Sequence, residues 1–124
     1  MTSTKYVRVE DEGDAIVIVP LFTFGRFTEA DLFDEWRHLQ QHLEDSPAKN
    51  VIFDLGEIPY FGSTVLDWMV QVWKHAKARG GQLATCNCSP IGKEVLAAAR
   101  FDTLWGVYDS RAAAHESFAA KMGA

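Results

Sequence analysis

Length and composition predict one globular domain. The chain has 124 residues, of which 48% are hydrophobic and 23% are charged. These proportions suit a chain that buries a core, and they exclude an intrinsically disordered protein. The net charge is −5 and the 12 Lys and Arg residues are scattered, whereas a nucleic-acid or anionic-membrane surface needs a concentrated basic stripe. We therefore expect a protein or a small molecule as the partner, with no nucleic acid and no membrane insertion.

The sequence shows no targeting signal. No stretch approaches the ~20 consecutive apolar residues of a membrane-spanning helix. The first residues, MTSTKYVRVEDEG, have no apolar signal-peptide core. The sequence therefore predicts a cytoplasmic protein.

Strands and helices alternate along the chain. Two strands, 6–9 and 15–19, flank an acidic turn and predict an N-terminal hairpin. The aromatic segment 20–27 has no clear pattern. The remaining predicted elements are a helix from Thr28 to Ser46, a strand at 51–55, a helix at 63–79, a strand at 82–88, a helix at 89–100 with Ser89 as its N-cap, a strand at 104–108 and a helix at 109–122. This ββαβαβαβα order predicts a single α/β domain over residues 1–124, with a mixed, mostly parallel sheet, an N-terminal hairpin and about four helices.

The helix predicted at 63–79 is apolar over roughly 200° of its circumference, about twice what a helix on one sheet needs. Four side chains suffice for the core stripe: Leu66, Met69, Val70 and Trp73. Val65, Trp68 and Val72 then form a second stripe beside it. Either a neighbouring helix covers this second stripe, or it is an exposed apolar ridge on which a protein partner docks.

Side chains that suggest catalysis or metal binding have simpler interpretations. His38 and His42 have the i, i+4 spacing of a metal-binding pair, but no third ligand is visible, and we expect two solvated histidines. Cys86 and Cys88 share one face of a strand, and we expect buried, inert thiols. We find no catalytic constellation in the sequence, and we expect no enzymatic activity, no metal and no cofactor.

The most informative stretch is 51–68. An apolar strand, Val51 to Leu55, leads through a short loop to Ser63 and Thr64, where a helix begins. Hydroxyls at a helix start lie among unpaired backbone N–H groups, at the positive end of the helix dipole. They can cap the helix, bind an anion or carry a phosphate. Asp54, at the end of the strand, is expected to accept hydrogen bonds from the amides of this loop.

In order and spacing, these segments resemble a STAS domain, the family of anti-sigma factor antagonists and related modules. The stretch from Val51 to Thr64 resembles the family's signature of a hydrophobic strand, Asp, a loop and Asp-Ser-Ser-Gly-Leu. Four further segments resemble the family's later helices and strands: Lys77 to Leu83, Ser89-Pro90 with Val95-Leu96, Phe101 to Trp105, and Asp109-Ser110 with Ala112 to Ala114. The resemblance covers nearly the whole chain.

The resemblance implies a regulatory module that works by protein–protein contact. In the family, the serine at the position of Ser63 is phosphorylated by a partner kinase that is also the anti-sigma factor, and phosphorylation ends the binding. The resemblance therefore implies such a kinase as the partner and Ser63 as the phospho-acceptor, with Thr64 as a weaker candidate. The predicted docking surface comprises Gly62, Ser63, Val65, Trp68 and Val72.

Departures from the family pattern leave alternatives open. The acid that normally precedes the serine is Gly62 here, and the glycine two positions after it is Val65. The acid usual before the first helix is also absent. These changes favour a constitutive adaptor or a soluble accessory subunit of a membrane transporter, a role that free-standing family members fill. A third alternative is a small-ligand sensor whose pocket wall includes Phe22, Phe24 and Phe27, although core packing also explains these side chains.

Overall fold

The computed structural model describes residues 2–3, 6–21 and 29–122. The strands in this part of the chain are β1 (Thr2–Ser3), β2 (Val7–Glu12), β3 (Ala15–Pro20), β4 (Asn50–Asp54), β5 (Leu83–Cys86) and β6 (Gly106–Tyr108). The α-helices are α1 (Glu29–Asp45), α2 (Ser63–Ala78), α3 (Pro90–Ala98) and α4 (Arg111–Met122). A short 3₁₀ turn, Phe101–Thr103, precedes β6.

All six strands form one sheet in the order β1-β2-β3-β4-β5-β6. The first three strands pair antiparallel, and β3 to β6 pair parallel. The prediction of a mixed, mostly parallel sheet with an N-terminal hairpin and four helices is therefore confirmed. The sequence does not predict β1, because two residues are too few to show a strand's alternation.

The two faces of the sheet are covered by different helices. Side chains alternate across a strand, so Ile16 and Ile18 of β3 face one side while Val17 and Val19 face the other. The helices α1, α2 and α3 pack on the first face, because right-handed crossovers between strands in sequential order fall on the same side. The second face is covered by α4, whose Phe118 is buried against it.

This topology brings the starts of the four described α-helices to one edge of the sheet. The strands β3 to β6 are parallel, so the helices α1 to α4, each of which follows one of these strands, begin at the carboxyl ends of the strands. We call this edge the carboxyl edge. The connection between β4 and α2 at this edge is the loop 55–62. Within the described residues, no helix has both the length and the apolar character required to cross a bilayer.

Candidate functional site

Ser63 is the first residue of α2, as the sequence predicts. Gly62 is the N-cap; its backbone is extended (φ −113°, ψ −158°), and it makes no side-chain cap. The Gly62 carbonyl accepts a hydrogen bond from the Leu66 N–H at 3.3 Å, and the first turn of α2 contains no acidic residue. The helix therefore starts without a carboxylate to offset its dipole. Thr64 is half-buried, and the side chain of Ser63 lies outside the described part of the structure.

The loop 55–62 is held at its beginning by Asp54. The Gly56 N–H donates a hydrogen bond to Asp54 Oδ1 at 3.0 Å, which confirms the predicted role of Asp54 as an acceptor for loop amides. The same oxygen accepts a hydrogen bond from Asn87 Nδ2 at 3.1 Å. Gly56 has little room for a side chain, since a Cβ there would lie 3.1 Å from Asp54 Oδ1 and 3.3 Å from Asn87 Cβ. Asp54 thus joins the connections that follow β4 and β5.

The end of the same loop is held by α3. The Ser89 hydroxyl donates to the Pro59 carbonyl at 2.7 Å and accepts from the Gly92 N–H at 3.0 Å, so Ser89 caps α3 as the sequence predicts. Phe61 is buried. Its ring lies so close to Gly92 that a Cβ on that residue would be 2.9 Å from the nearest ring carbon. These contacts fix the segment that leads into Ser63.

Two large apolar side chains are exposed beside these contacts. Tyr60 is 70% exposed and Ile91 is 56% exposed. Tyr60 lies between two loop residues that contact α3, and Ile91 immediately precedes Gly92, so the contacts hold the two segments together. Gly62 is exposed as well. No pattern in the sequence indicates Tyr60 or Ile91, because each falls in a short segment without periodicity.

The prediction of a docking stripe on α2 is wrong. Val65, Trp68 and Val72 are all buried, as are Met69 and Ala76, and they pack into the larger core cluster. Of the two interpretations of this stripe, the one in which the fold itself covers it is therefore correct. The described surface of α2 has no apolar ridge at these three positions.

The prediction placed the wrong face of α2 against the core. The five buried residues recur at i, i+3, i+4, i+7 and i+11, which places them on one face. Three residues that were predicted for the core stripe are only partly buried and lie at the border of the buried face: Leu66, Val70 and Trp73. Both sets satisfy the helical period, so the choice between them depends on tertiary contacts, among them the contact of Trp68 with Trp36 of α1.

Arg111 is a charged side chain of the carboxyl edge that no pattern in the sequence indicates. It is the first residue of α4, and its Nε donates to Asp54 Oδ2 at 2.6 Å. Its Nη1 donates to Glu12 Oε2 at 2.7 Å, and its Nη2 donates to Glu10 Oε2 at 2.9 Å. His115 Nε2 lies 2.8 Å from the other oxygen of Glu12. The guanidinium thus joins α4 to β2 and β4.

These contacts keep Asp54 and Glu10 ionised. Burial alone raises the pKa of Asp54, but hydrogen bonds from Arg111, Gly56 and Asn87 outweigh that effect and hold the pKa below its ordinary value of 3.8. The hydrogen bond from Arg111 likewise lowers the pKa of Glu10. Asp54 therefore acts as a fixed acceptor at neutral pH rather than as a proton carrier.

The two histidines with metal-ligand spacing make separate contacts. His38 Nδ1 lies 2.8 Å from the Asp34 carbonyl, and His42 Nε2 lies 2.9 Å from Asp11 Oδ1. No group of three or more His, Cys, Asp and Glu among the described residues is arranged to hold a metal ion.

The cysteines are buried free thiols, as predicted. Burial, assisted by the nearby carboxylate of Asp54, raises the pKa of Cys86 to about 12. Burial also raises the pKa of Cys88. The aromatic residues of the small-ligand alternative, in contrast, lie outside the described residues: Phe22, Phe24 and Phe27.

Comparison with known sequences identifies related proteins. The STAS domain family model matches residues 14–114. A STAS-domain containing protein of Pseudomonas aeruginosa (strain UCBPP-PA14) is 26% identical over 83 residues, which cover 67% of this chain and 80% of that protein.

Comparison with solved structures identifies the same fold. An anti-sigma-factor antagonist (STAS) domain protein from Planctomyces limnophilus matches with a TM-score of 0.76 at 27% identity, over 91% of this chain and 97% of that one. The anti-sigma factor antagonist SpoIIAA in its unphosphorylated form matches with a TM-score of 0.71 over 90% of this chain and 95% of that one. At 12% identity, this second likeness shows the fold alone.

Proposed function

Because the chain belongs to the STAS domain family, we propose that it is a non-enzymatic regulatory module of the anti-sigma factor antagonist type. In this proposal it acts in the cytoplasm, binds a protein partner through the carboxyl edge and is switched by phosphorylation of Ser63. The partner is an anti-sigma factor with serine kinase activity, which supplies the nucleotide, so that the module itself needs no cofactor.

One observation carries the proposal: Ser63 begins α2 directly after a loop that is fixed at both ends. A phosphate adds about −1.5 to −2 charges at neutral pH. A helix start that has no acid in its first turn favours such a charge. The fold therefore tolerates the modification, and its effect falls on the partner.

The docking surface that we propose consists of Pro59, Tyr60, Gly62 and Ile91, all exposed at the carboxyl edge around the start of α2. We call it the loop surface, and it replaces the stripe on α2 that the fold buries. Aromatic and aliphatic side chains of this kind are typical centres of protein interfaces. An interface that closes over a neutral hydroxyl here would have to desolvate the phosphate, which costs several kcal/mol.

Phosphorylation by a cognate kinase tests the switch. We expect ATP and the kinase to place phosphate on Ser63, located by mass spectrometry, and to leave Ser63→Ala unmodified. Phosphorylated protein should bind the kinase about a hundredfold more weakly than unmodified protein. Ser46→Asp adds a charge at the opposite edge, where the Ser46 hydroxyl accepts from the Ala48 N–H, and should bind like wild type. Phosphate found at another residue would remove Ser63 from the switch.

Alanine substitution tests the loop surface. Tyr60→Ala should weaken partner binding by about tenfold or more without unfolding the domain, because the side chain is 70% exposed. Leu104→Ala is the control, since Leu104 is a 41% exposed apolar residue that precedes β6, at the opposite edge of the sheet. Equal losses from both variants, or no loss from Tyr60→Ala, would place the interface elsewhere.

A second candidate function is a constitutive adaptor or a soluble accessory subunit of a membrane transporter. The observation that favours it is Gly62, which stands where the family usually has an acid before the phosphorylated serine. An adaptor would bind its partner equally well as wild type and as Ser63→Asp. A pulldown with both proteins separates the two functions, because the switch requires Ser63→Asp to bind more weakly.

A further inference from the structure

Arg111 occupies a position that helix electrostatics disfavour. It is the first residue of α4, and the positive end of the helix dipole at this position repels a cation weakly. Its side chain is only 26% exposed, so the charge is also partly desolvated. Three carboxylates offset both costs: Glu10, Glu12 and Asp54. The guanidinium uses its Nε and both Nη groups, an arrangement that a lysine could not reproduce.

Of the three contacts that Arg111 makes, the one with Asp54 connects it to the loop that precedes Ser63. Asp54 is the most buried of the three carboxylates, with a side chain 10% exposed against 25% for Glu10 and 32% for Glu12. Its Oδ2 is held by Arg111 and its Oδ1 by Gly56 and Asn87. A buried carboxylate that loses its cation is left uncompensated, and it then protonates or turns toward water. Either change weakens its hydrogen bond with the Gly56 amide.

We propose that Arg111 is a positioning residue for the segment that presents Ser63. By holding Asp54 in place, it fixes the beginning of the loop 55–62, and it couples α4 and the charged side chains of β2 to that loop. The role in presenting Ser63 rests on the proposed function, whereas the anchoring of the loop does not. The end of the loop keeps its own contacts with α3 through Pro59 and Phe61. Loss of Arg111 therefore frees the loop mainly at Gly56.

The Gly56 amide gives a direct readout, because its N–H donates to Asp54. In wild type, its NMR resonance should follow the titration of Asp54 at a pH below the ordinary value of 3.8. In Arg111→Gln, we expect this midpoint to rise and hydrogen exchange at Gly56 to become about tenfold faster. A residue with only a general stabilising role would not move the titration midpoint of this one amide.

Arg8→Gln is the matched control. Arg8 Nε lies 3.4 Å from Glu10 Oε2, on the face of β2 that also meets Arg111, but the residue makes no contact with Asp54. The Arg8→Gln variant should have the same titration midpoint and the same hydrogen exchange rate at the Gly56 amide as wild type. If Arg111→Gln does not fold, Arg111→Lys keeps the cation but cannot contact all three carboxylates, and exchange at Gly56 should then rise by a smaller factor.

Three outcomes decide the proposal. Faster exchange and a raised midpoint in the Arg111 variants, but not in Arg8→Gln, would support it. Wild-type behaviour of Gly56 in a folded Arg111 variant would overturn it. Partner affinity and phosphorylation of Ser63 are measured separately: if they remain unchanged while exchange rises, the anchoring of the loop stands and its role in presenting Ser63 is overturned.

Discussion

The indole ring of Trp68 on α2 lies 5.4 Å from the indole ring of Trp36 on α1, measured between centroids, with the planes inclined at 44°. Tilted arrangements of this kind are favourable for aromatic pairs. Trp68 is only 5% exposed, so the contact lies within the domain. The pair therefore helps to set how α1 and α2 pack, and with it which side of α2 faces solvent.

Truncation of this contact tests whether Trp68 belongs to the core. We expect Trp68→Ala to lower the free energy of unfolding by about 3–5 kcal/mol, the usual cost of removing a buried aromatic side chain. Urea denaturation followed by circular dichroism measures the change. Gln71→Ala alters an exposed residue of the same helix and should stay within about 0.5 kcal/mol of wild type. Near-native stability of Trp68→Ala would instead identify an exposed ridge.

The contacts of Arg111 make part of the stability depend on pH. The folded pKa values of Asp54 and Glu10 lie below their ordinary values of 3.8 and 4.5. Their stabilising contribution is therefore complete above those ordinary values and is lost as the pH falls through the folded ones. Between about pH 5 and pH 3, the unfolding free energy of wild type should fall more steeply than that of Arg111→Gln.

Urea titrations at several pH values measure these slopes. Lys93→Gln is the control, because it removes only a solvent-exposed ion pair with Asp109. The unfolding free energy of this variant should depend on pH with the same slope as that of wild type. Parallel curves for wild type and Arg111→Gln would show that the guanidinium does not shift the carboxylate pKa values.

Local patterns in the sequence predict most of the architecture. Apolar patterns and capping residues predict each of the described helices, and each described strand except the two-residue β1. Short-range hydrogen bonding explains two further successes, the cap that Ser89 makes on α3 and the bond from Gly56 to Asp54. In each of these, the two groups are two or three residues apart, so the chain itself brings them together.

The failures involve tertiary contacts. Arg111 lies 57, 99 and 101 residues from its three carboxylates, and no local pattern relates such distant positions. The buried face of α2 is likewise set by tertiary contacts, including that of Trp68 with Trp36 of α1. The strand predicted at 104–108 is shorter than expected, since a 3₁₀ turn precedes it and Trp105 is buried before the strand begins at Gly106.

The thiols should be unreactive while the domain is folded. With a pKa of about 12, on the order of one Cys86 thiol in ten thousand is ionised at about pH 8. Cys88 is also buried, with a raised pKa. We expect Ellman's reagent to modify both cysteines only as fast as the domain unfolds, and at once in denaturant. Rapid modification of the native protein would show that this part of the structure opens.

Gly62→Asp should stabilise the start of α2. The extended backbone of Gly62 suits any residue, and a Cβ there would meet nothing within 4 Å. An aspartate can accept hydrogen bonds from the first-turn amides, and its charge favours the helix dipole, for a gain of about 0.5–1.5 kcal/mol. Gly62→Ala is the control, because it restricts the unfolded chain without adding a cap. In the proposed switch, the aspartate also restores the acid that the family places before the serine, so the kinase should phosphorylate Ser63 faster. Equal stability of the Asp and Ala variants would mean that the amides already have partners.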